Sequence, residues 1–183
     1  DLGTTRRLAP LVPMDKVLVS ESGIMDHRDV VALRDQVDGF LVGSSLMAQR
    51  NLTMACGGLV FGRVKVCGLT SRTNALAMAK AGATYGGLIF AKKSKRYVDI
   101  KEAQEVCRDV PLKWVGVFVD TAPSIVADVA AHLGLEAVQL HGMENSDYIS
   151  HLKDELFGDV EIWKSLSVAG ELPVASQFEG CRI

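Results

Sequence analysis

The sequence lacks any apolar stretch approaching the roughly 20 residues that span a bilayer, and residues 1–7 are polar rather than signal-like. A membrane protein and a secreted one are therefore not expected, and a cytoplasmic location is. Charge of one sign is not in excess: Lys+Arg 20 against Asp+Glu 22 leaves a net charge of −2 and no long run of basic residues. That leaves little electrostatic footprint for DNA, RNA or an anionic membrane, so small molecules are the expected partners. Cysteine is scarce, with four residues at 56, 67, 107 and 181 in no CxxC or His-paired spacing. This pattern argues for reduced thiols rather than disulfides or zinc. With 48% hydrophobic and 23% charged residues over 183 positions, disorder and coiled coil are excluded. The length suits one sizeable core or two partial ones.

What is present is a repeat. Short runs rich in Val, Ile, Leu and Phe recur at 16–19, 39–42, 64–66, 86–90, 115–119, 137–140 and 162–163. Segments with helical spacing lie between them, at 29–34, 73–80, 101–108, 124–133 and 147–156. Strands that read as continuous apolar runs are buried on both faces and belong to a parallel sheet. About seven βα units in series favour a (β/α) barrel over a doubly wound sheet. The stretch Ala55-Cys56-Gly57-Gly58-Leu59-Val60-Phe61-Gly62 is the only glycine-dense one between units and is the expected domain junction.

Each strand run ends in small or polar residues, and in α/β proteins chemistry gathers at the carboxyl ends of strands. In Arg63-Val64-Lys65-Val66-Cys67-Gly68, alternation sends Lys65 and Cys67 to one face, the interior in a barrel. An ammonium two residues below a thiol favours the thiolate, the form that serves as base or nucleophile. A buried inert cysteine is the alternative. Ser22-Gly23 and Gly43-Ser44 end two successive strands, where backbone N–H groups and hydroxyls cradle a phosphate or simply make a turn. The loop Lys92-Lys93-Ser94-Lys95-Arg96 either clamps a substrate carboxylate or is solvated. His141 ends another strand and ranks below Cys67.

Read together, these residues resemble two known families. Leu18-Val19-Ser20-Glu21-Ser22-Gly23-Ile24, followed by Phe40-Leu41-Val42-Gly43-Ser44-Ser45-Leu46-Met47, is similar to the last two strands of indole-3-glycerol-phosphate synthase. Lys65-Val66-Cys67-Gly68-Leu69-Thr70, Gly87-Leu88-Ile89-Phe90, Ser94-Lys95-Arg96, Val115-Gly116-Val117-Phe118-Val119 and Val138-Gln139-Leu140-His141-Gly142 resemble phosphoribosylanthranilate isomerase. The order is that of the fused bacterial enzyme of tryptophan biosynthesis. The resemblance implies an α/β fold of tandem (β/α)8 TIM barrels. Residues 1–60 would be the last part of the first barrel, and residues 61–183 about five βα units of the second.

The activities so implied are an Amadori isomerisation of phosphoribosylanthranilate and the decarboxylating ring closure that follows it, on phosphorylated anthranilate derivatives. Neither metal nor organic cofactor is implied, and the full-length parent would be monomeric. By resemblance Cys67 is the isomerase base, Arg96 holds the anthranilate, and His141 lines the site. Glu21 and Ser22 match synthase active-site positions, and Ser22, Gly23, Gly43 and Ser44 its phosphate site. The isomerase's general acid, an Asp ending the sixth strand, would lie beyond Ile183. Cys181-Arg182-Ile183 reads as the start of another buried strand, so the chain is expected to be an internal fragment, inactive alone and poorly soluble. Alternatives are an unrelated phosphate-binding barrel and a non-catalytic phosphate-binding or scaffold remnant.

Overall fold

The computed structural model describes residues 2–166 and 181–182. The chain divides into two compact units, one of Asp1–Val64 with Gly82–Thr84 and one of Lys65–Ala81 with Tyr85–Ile183.

In the first unit, helix α1 (Leu2–Leu8) and a 3₁₀ turn (Ala9–Leu11) precede strand β1 (Val19–Glu21), helix α2 (His27–Leu33), strand β2 (Gly39–Leu41) and helices α3 (Ser44–Met47) and α4 (Leu52–Phe61). The two strands pair in parallel, Glu21 opposite Leu41. β1 begins later than the expected run at 16–19. The Leu18 amide donates to the Asp38 carboxylate at 2.8 Å and the Leu18 carbonyl accepts from Asp38 N, which ties this residue to a side chain before the ladder starts. Helix α2 is started by Asp26, whose carboxylate accepts from the helix amides while Asp29 reaches back, a reciprocal cap. The glycine-dense stretch is helical. α4 runs through Gly57 and Gly58 from an Asn51 cap, and ends at Gly62, whose φ of 72° suits glycine.

The second unit is a repeat of strands and helices: β3 (Lys65–Cys67), α5 (Arg72–Lys80), β4 (Tyr85–Ile89), α6 (Ile100–Cys107), β5 (Lys113–Phe118), α7 (Pro123–Leu133), β6 (Ala137–Leu140), α8 (Ser146–Glu155) and β7 (Glu161–Lys164). Ser71, Asp99 and Asn145 cap α5, α6 and α8, while Pro123 opens α7 and left-handed Gly134 closes it. The five strands form one parallel sheet in chain order. Arg182 adds a parallel bridge beside Trp163. Arg182 is exposed, so that position is not buried as expected, and Ile183 lies outside the described residues.

Alternation splits the sheet's side chains. Leu88, Phe118, Val138 and Leu140 are almost wholly buried, as are Ala103, Val126, Ile149 and Leu152 on the helices, and this layer is the main core. Each of the larger side chains among them, the leucines, valines, isoleucine and phenylalanine, contributes about 1.5–3 kcal/mol by leaving water. The other face carries Tyr85, Val115 and Ala137, with Trp163 packed against them. The Tyr85 and Trp163 rings meet edge to face with centroids 5.2 Å apart. They stand on β4 and β7, three strand spacings or about 14 Å apart in a flat sheet. The sheet therefore curves toward this face, the sense that barrel closure requires. Among the described residues no helix is long and apolar enough to cross a membrane.

Candidate active site

Strand β3 places Lys65 and Cys67 on the concave face, as the alternation of the sequence requires. Cys67 is exposed at the strand's carboxyl end. The Lys65 ammonium lies 3.5 Å from its sulfur. Gly87 stands opposite Cys67 in the neighbouring strand. A methyl group at Gly87 would come within 2.9 Å of Lys65 Cε and 3.1 Å of Cys67 Sγ, so only glycine leaves these side chains their space.

The basic loop after β4 resolves into two kinds of cation. Lys92, Lys93 and Lys95 are exposed, in keeping with solvation. Arg96 is exposed as well but folds back onto β3, donating from a guanidinium nitrogen to the Cys67 carbonyl at 3.0 Å. Its own amide donates to the Ser94 hydroxyl, a local turn that aims the side chain. Gly68 makes this seat possible. Its φ is 81°, and a Cβ would lie 2.7 Å from Arg96 Cδ. The structure thus brings Cys67, Lys65 and Arg96 into one cluster at the end of β3. His141 is exposed at the end of β6, held through its amide to the Phe118 carbonyl, and among the described residues no side-chain hydrogen bond joins it to that cluster.

Two features escape sequence reasoning. The Lys65 ammonium also donates to Gln139 Oε1 on β6, and Gln139 Nε2 donates to the Ser165 hydroxyl at 2.5 Å. In the sequence Gln139 is one polar residue in an apolar strand, with no local sign of a partner. The second is a buried ion pair at the ends of β5, β6 and β7. Glu144 accepts from Lys164 Nζ at 2.8 Å, and from the amides of Asp120 and Gly142 at 2.9 Å each. Lys164 also donates to the Gly142 carbonyl at 2.7 Å. Beside this pair a cavity of about 450 Å³ opens, lined by Asp120, Thr121, Pro123, Met143 and Tyr148 among others. Burial pushes the Tyr148 hydroxyl up to about 12, helped by the charges of Glu144 and Asp120. Among the described residues no three His, Cys, Asp or Glu side chains converge as metal ligands would.

In the first unit, Glu21, Ser22 and Gly23 at the end of β1 and Gly43 and Ser44 after β2 are all exposed. Ser22 has φ 67° and Gly23 φ 83°. The left-handed conformation costs a serine about 1–2 kcal/mol. The Ser45 hydroxyl donates to the Ile24 carbonyl at 2.8 Å, tying the two loops together.

Comparison with known proteins adds the following. The family model described as N-(5'phosphoribosyl)anthranilate (PRA) isomerase matches residues 64–182, and that of indole-3-glycerol phosphate synthase matches residues 1–59. A tryptophan biosynthesis protein TrpCF of Vibrio cholerae is 49% identical over 173 residues, 94% of this chain and 37% of that protein. Its counterpart from Yersinia pestis is 46% identical over 94% of this chain and 36% of its own length. The chain thus spans little more than a third of these relatives. A crystal structure of phosphoribosylanthranilate isomerase from Thermotoga maritima superposes with a TM-score of 0.55 at 38% identity, covering 60% of this chain and 55% of that one. Another isomerase, in complex with reduced 1-(o-carboxyphenylamino)-1-deoxyribulose 5-phosphate, gives 0.54 at 35% identity, over 58% of this chain and 54% of that chain.

Proposed function

The chain belongs to the N-(5'-phosphoribosyl)anthranilate isomerase family, preceded by a segment of the indole-3-glycerol-phosphate synthase family, and from that membership we propose that the whole protein catalyses both steps in tryptophan biosynthesis. Residues 1–60 belong to the synthase barrel and 61–183 to the isomerase barrel. The meeting of the two family matches between residues 59 and 64, and the division of contacts after Val64, support that boundary. The curvature of the parallel sheet supports a closed barrel in the whole protein.

In the isomerase, the ring oxygen of phosphoribosylanthranilate is protonated and the ribose opens to an iminium at C1′. Cys67 then takes the proton from C2′ as its thiolate, giving an enolamine that tautomerises to the ketone. Arg96 pairs with the anthranilate carboxylate, and His141 lines the site. In the synthase, Ser22, Gly23, Gly43 and Ser44 hold the substrate phosphate and Glu21 faces the reacting part. The substrates are phosphorylated anthranilate derivatives, the protein needs no metal or organic cofactor, and it acts as a cytoplasmic monomer.

The observation that carries this reading is the cluster at the end of β3: an exposed thiol 3.5 Å from an ammonium, with a guanidinium bonded to its own carbonyl. The test is steady-state isomerase turnover of the whole protein. Cys67→Ser should lower kcat by about 10²-fold or more, and an unchanged kcat would overturn the assignment. Residues 1–183 alone should show neither activity.

A further inference from the structure

The contacts around Cys67 continue away from it. The Lys65 ammonium that lies 3.5 Å from the Cys67 sulfur also donates to Gln139 Oε1, and Gln139 Nε2 donates to Ser165 Oγ at 2.5 Å. These four side chains come from β3, β6 and the residue after β7, and they bridge the concave face of the sheet. Gly87 presents no side chain in their way, and a Cβ there would meet the Lys65 stem at 2.9 Å.

The polarity of the chain is determined at each link. An ammonium only donates, so it selects the oxygen end of the amide. The nitrogen end then needs an acceptor, which the Ser165 hydroxyl supplies. A lysine has four rotatable carbons and a strong tendency to carry its charge out to water. Holding it beside a thiol at an exposed strand end requires a fixed acceptor on its far side, and Gln139 is that acceptor.

We propose that Gln139 is a positioning residue that holds the Lys65 ammonium against the Cys67 thiol, with Ser165 setting the orientation of the Gln139 amide. The proposal rests on the reading of Cys67 as the base. Its consequence is that the thiolate keeps a cationic neighbour at a defined place, and loses it when Gln139 can no longer accept.

The experiment is alkylation of Cys67 in the whole protein near neutral pH, followed by peptide mass mapping so that other cysteines do not contribute. Neutral iodoacetamide and anionic iodoacetate are compared, because a positioned cation attracts the anionic reagent whereas mere access affects both alike. Lys65→Met should slow both reagents and lower the iodoacetate-to-iodoacetamide rate ratio. Gln139→Leu should lower that ratio in the same sense, by about ten-fold, the worth of one hydrogen bond to a charged group. Ser165→Ala removes a half-buried hydroxyl and should give a smaller shift in the same direction, so it decides the matter if Gln139→Leu does not fold. A ratio unchanged or raised in Gln139→Leu, or in Ser165→Ala if Gln139→Leu does not fold, would overturn the proposal. Unchanged isomerase turnover in Cys67→Ser would overturn the base assignment alone, since the alkylation ratio is read without any turnover.

Discussion

Glu144 and Lys164 pair at 2.8 Å with side chains only 1% and 3% exposed. Between them the two residues hold the Asp120 and Gly142 amides and the Gly142 carbonyl, so one ion pair fastens the carboxyl ends of β5, β6 and β7. Two charges out of water are costly unless each remaining bond is satisfied, and here the carboxylate accepts from two amides as well as the ammonium.

Breaking this pair from one side should be severe. Lys164→Met leaves a buried carboxylate without its cation and should lower stability by about 3–5 kcal/mol. Glu144→Leu combined with Lys164→Met should cost less than the sum of the single changes. Denaturant midpoints of the three variants check this.

The same pair gives the protein an acid limit. Burial pushes the Glu144 carboxyl up, but the Lys164 hydrogen bond and the Asp120 amide outweigh it, and the group sits below its ordinary value. A carboxyl lowered on folding contributes stability above its unfolded range and loses it as pH falls through the folded one. Glu144→Gln should therefore flatten the loss of stability on the acid side, which urea midpoints as a function of pH would register.

Gly87→Ala should disturb the site rather than the core. The new methyl group would press on Lys65 Cε and on Cys67 at 2.9–3.1 Å. Overpacking of this kind costs about 1–3 kcal/mol. We expect kcat of the whole protein to fall much more than its melting temperature would suggest, a comparison that steady-state kinetics and a thermal melt supply.

The thiols should separate by environment. Burial pushes the Cys107 thiol up to about 12, so it stays protonated and unreactive in the folded protein. Cys67 is exposed. Brief iodoacetamide treatment should label Cys67 and spare Cys107 until denaturant is added, as peptide mapping would show.

Arg96 depends on the residue before Leu69. Gly68→Ala places a side chain at φ 81° and against Arg96 Cδ at 2.7 Å, so the guanidinium must leave the Cys67 carbonyl. The expected result is a raised KM for the isomerase substrate, shared by Arg96→Ala. An unchanged KM in both would remove Arg96 from the binding site.

Much of this architecture is legible in the amino-acid order because its strands are buried on both faces. Runs such as 137–140 and 115–119 announce themselves without any partner information. The helices of the second unit carry their caps in plain view, Asp99 with Glu102 and Asn145 before Ser146. Helix α4 does not, because Gly57-Gly58 reads as a breaker, although Asn51, whose side chain accepts from the Met54 amide, is a residue type that starts helices. Lys65 and Cys67 are joined by strand alternation, a local rule. Gln139 is joined to Lys65 from 74 residues away, by the curvature of the sheet, and no local rule contains that. Glu144 looks like a loop residue for the same reason, its partner Lys164 being 20 positions on in another strand.

In the five-stranded sheet the order of strands in space is their order in the chain. Each strand after β3 meets, on leaving the ribosome, a partner already made, so the sheet can widen at the pace of translation, on the order of 5–20 residues per second. Such growth sidesteps the slow search that distant pairing imposes on parallel sheets. The bond from Lys65 to Gln139 is the exception. It closes only after β6 has emerged, so the nascent chain carries the thiol for three strands before the group that steadies its cation arrives.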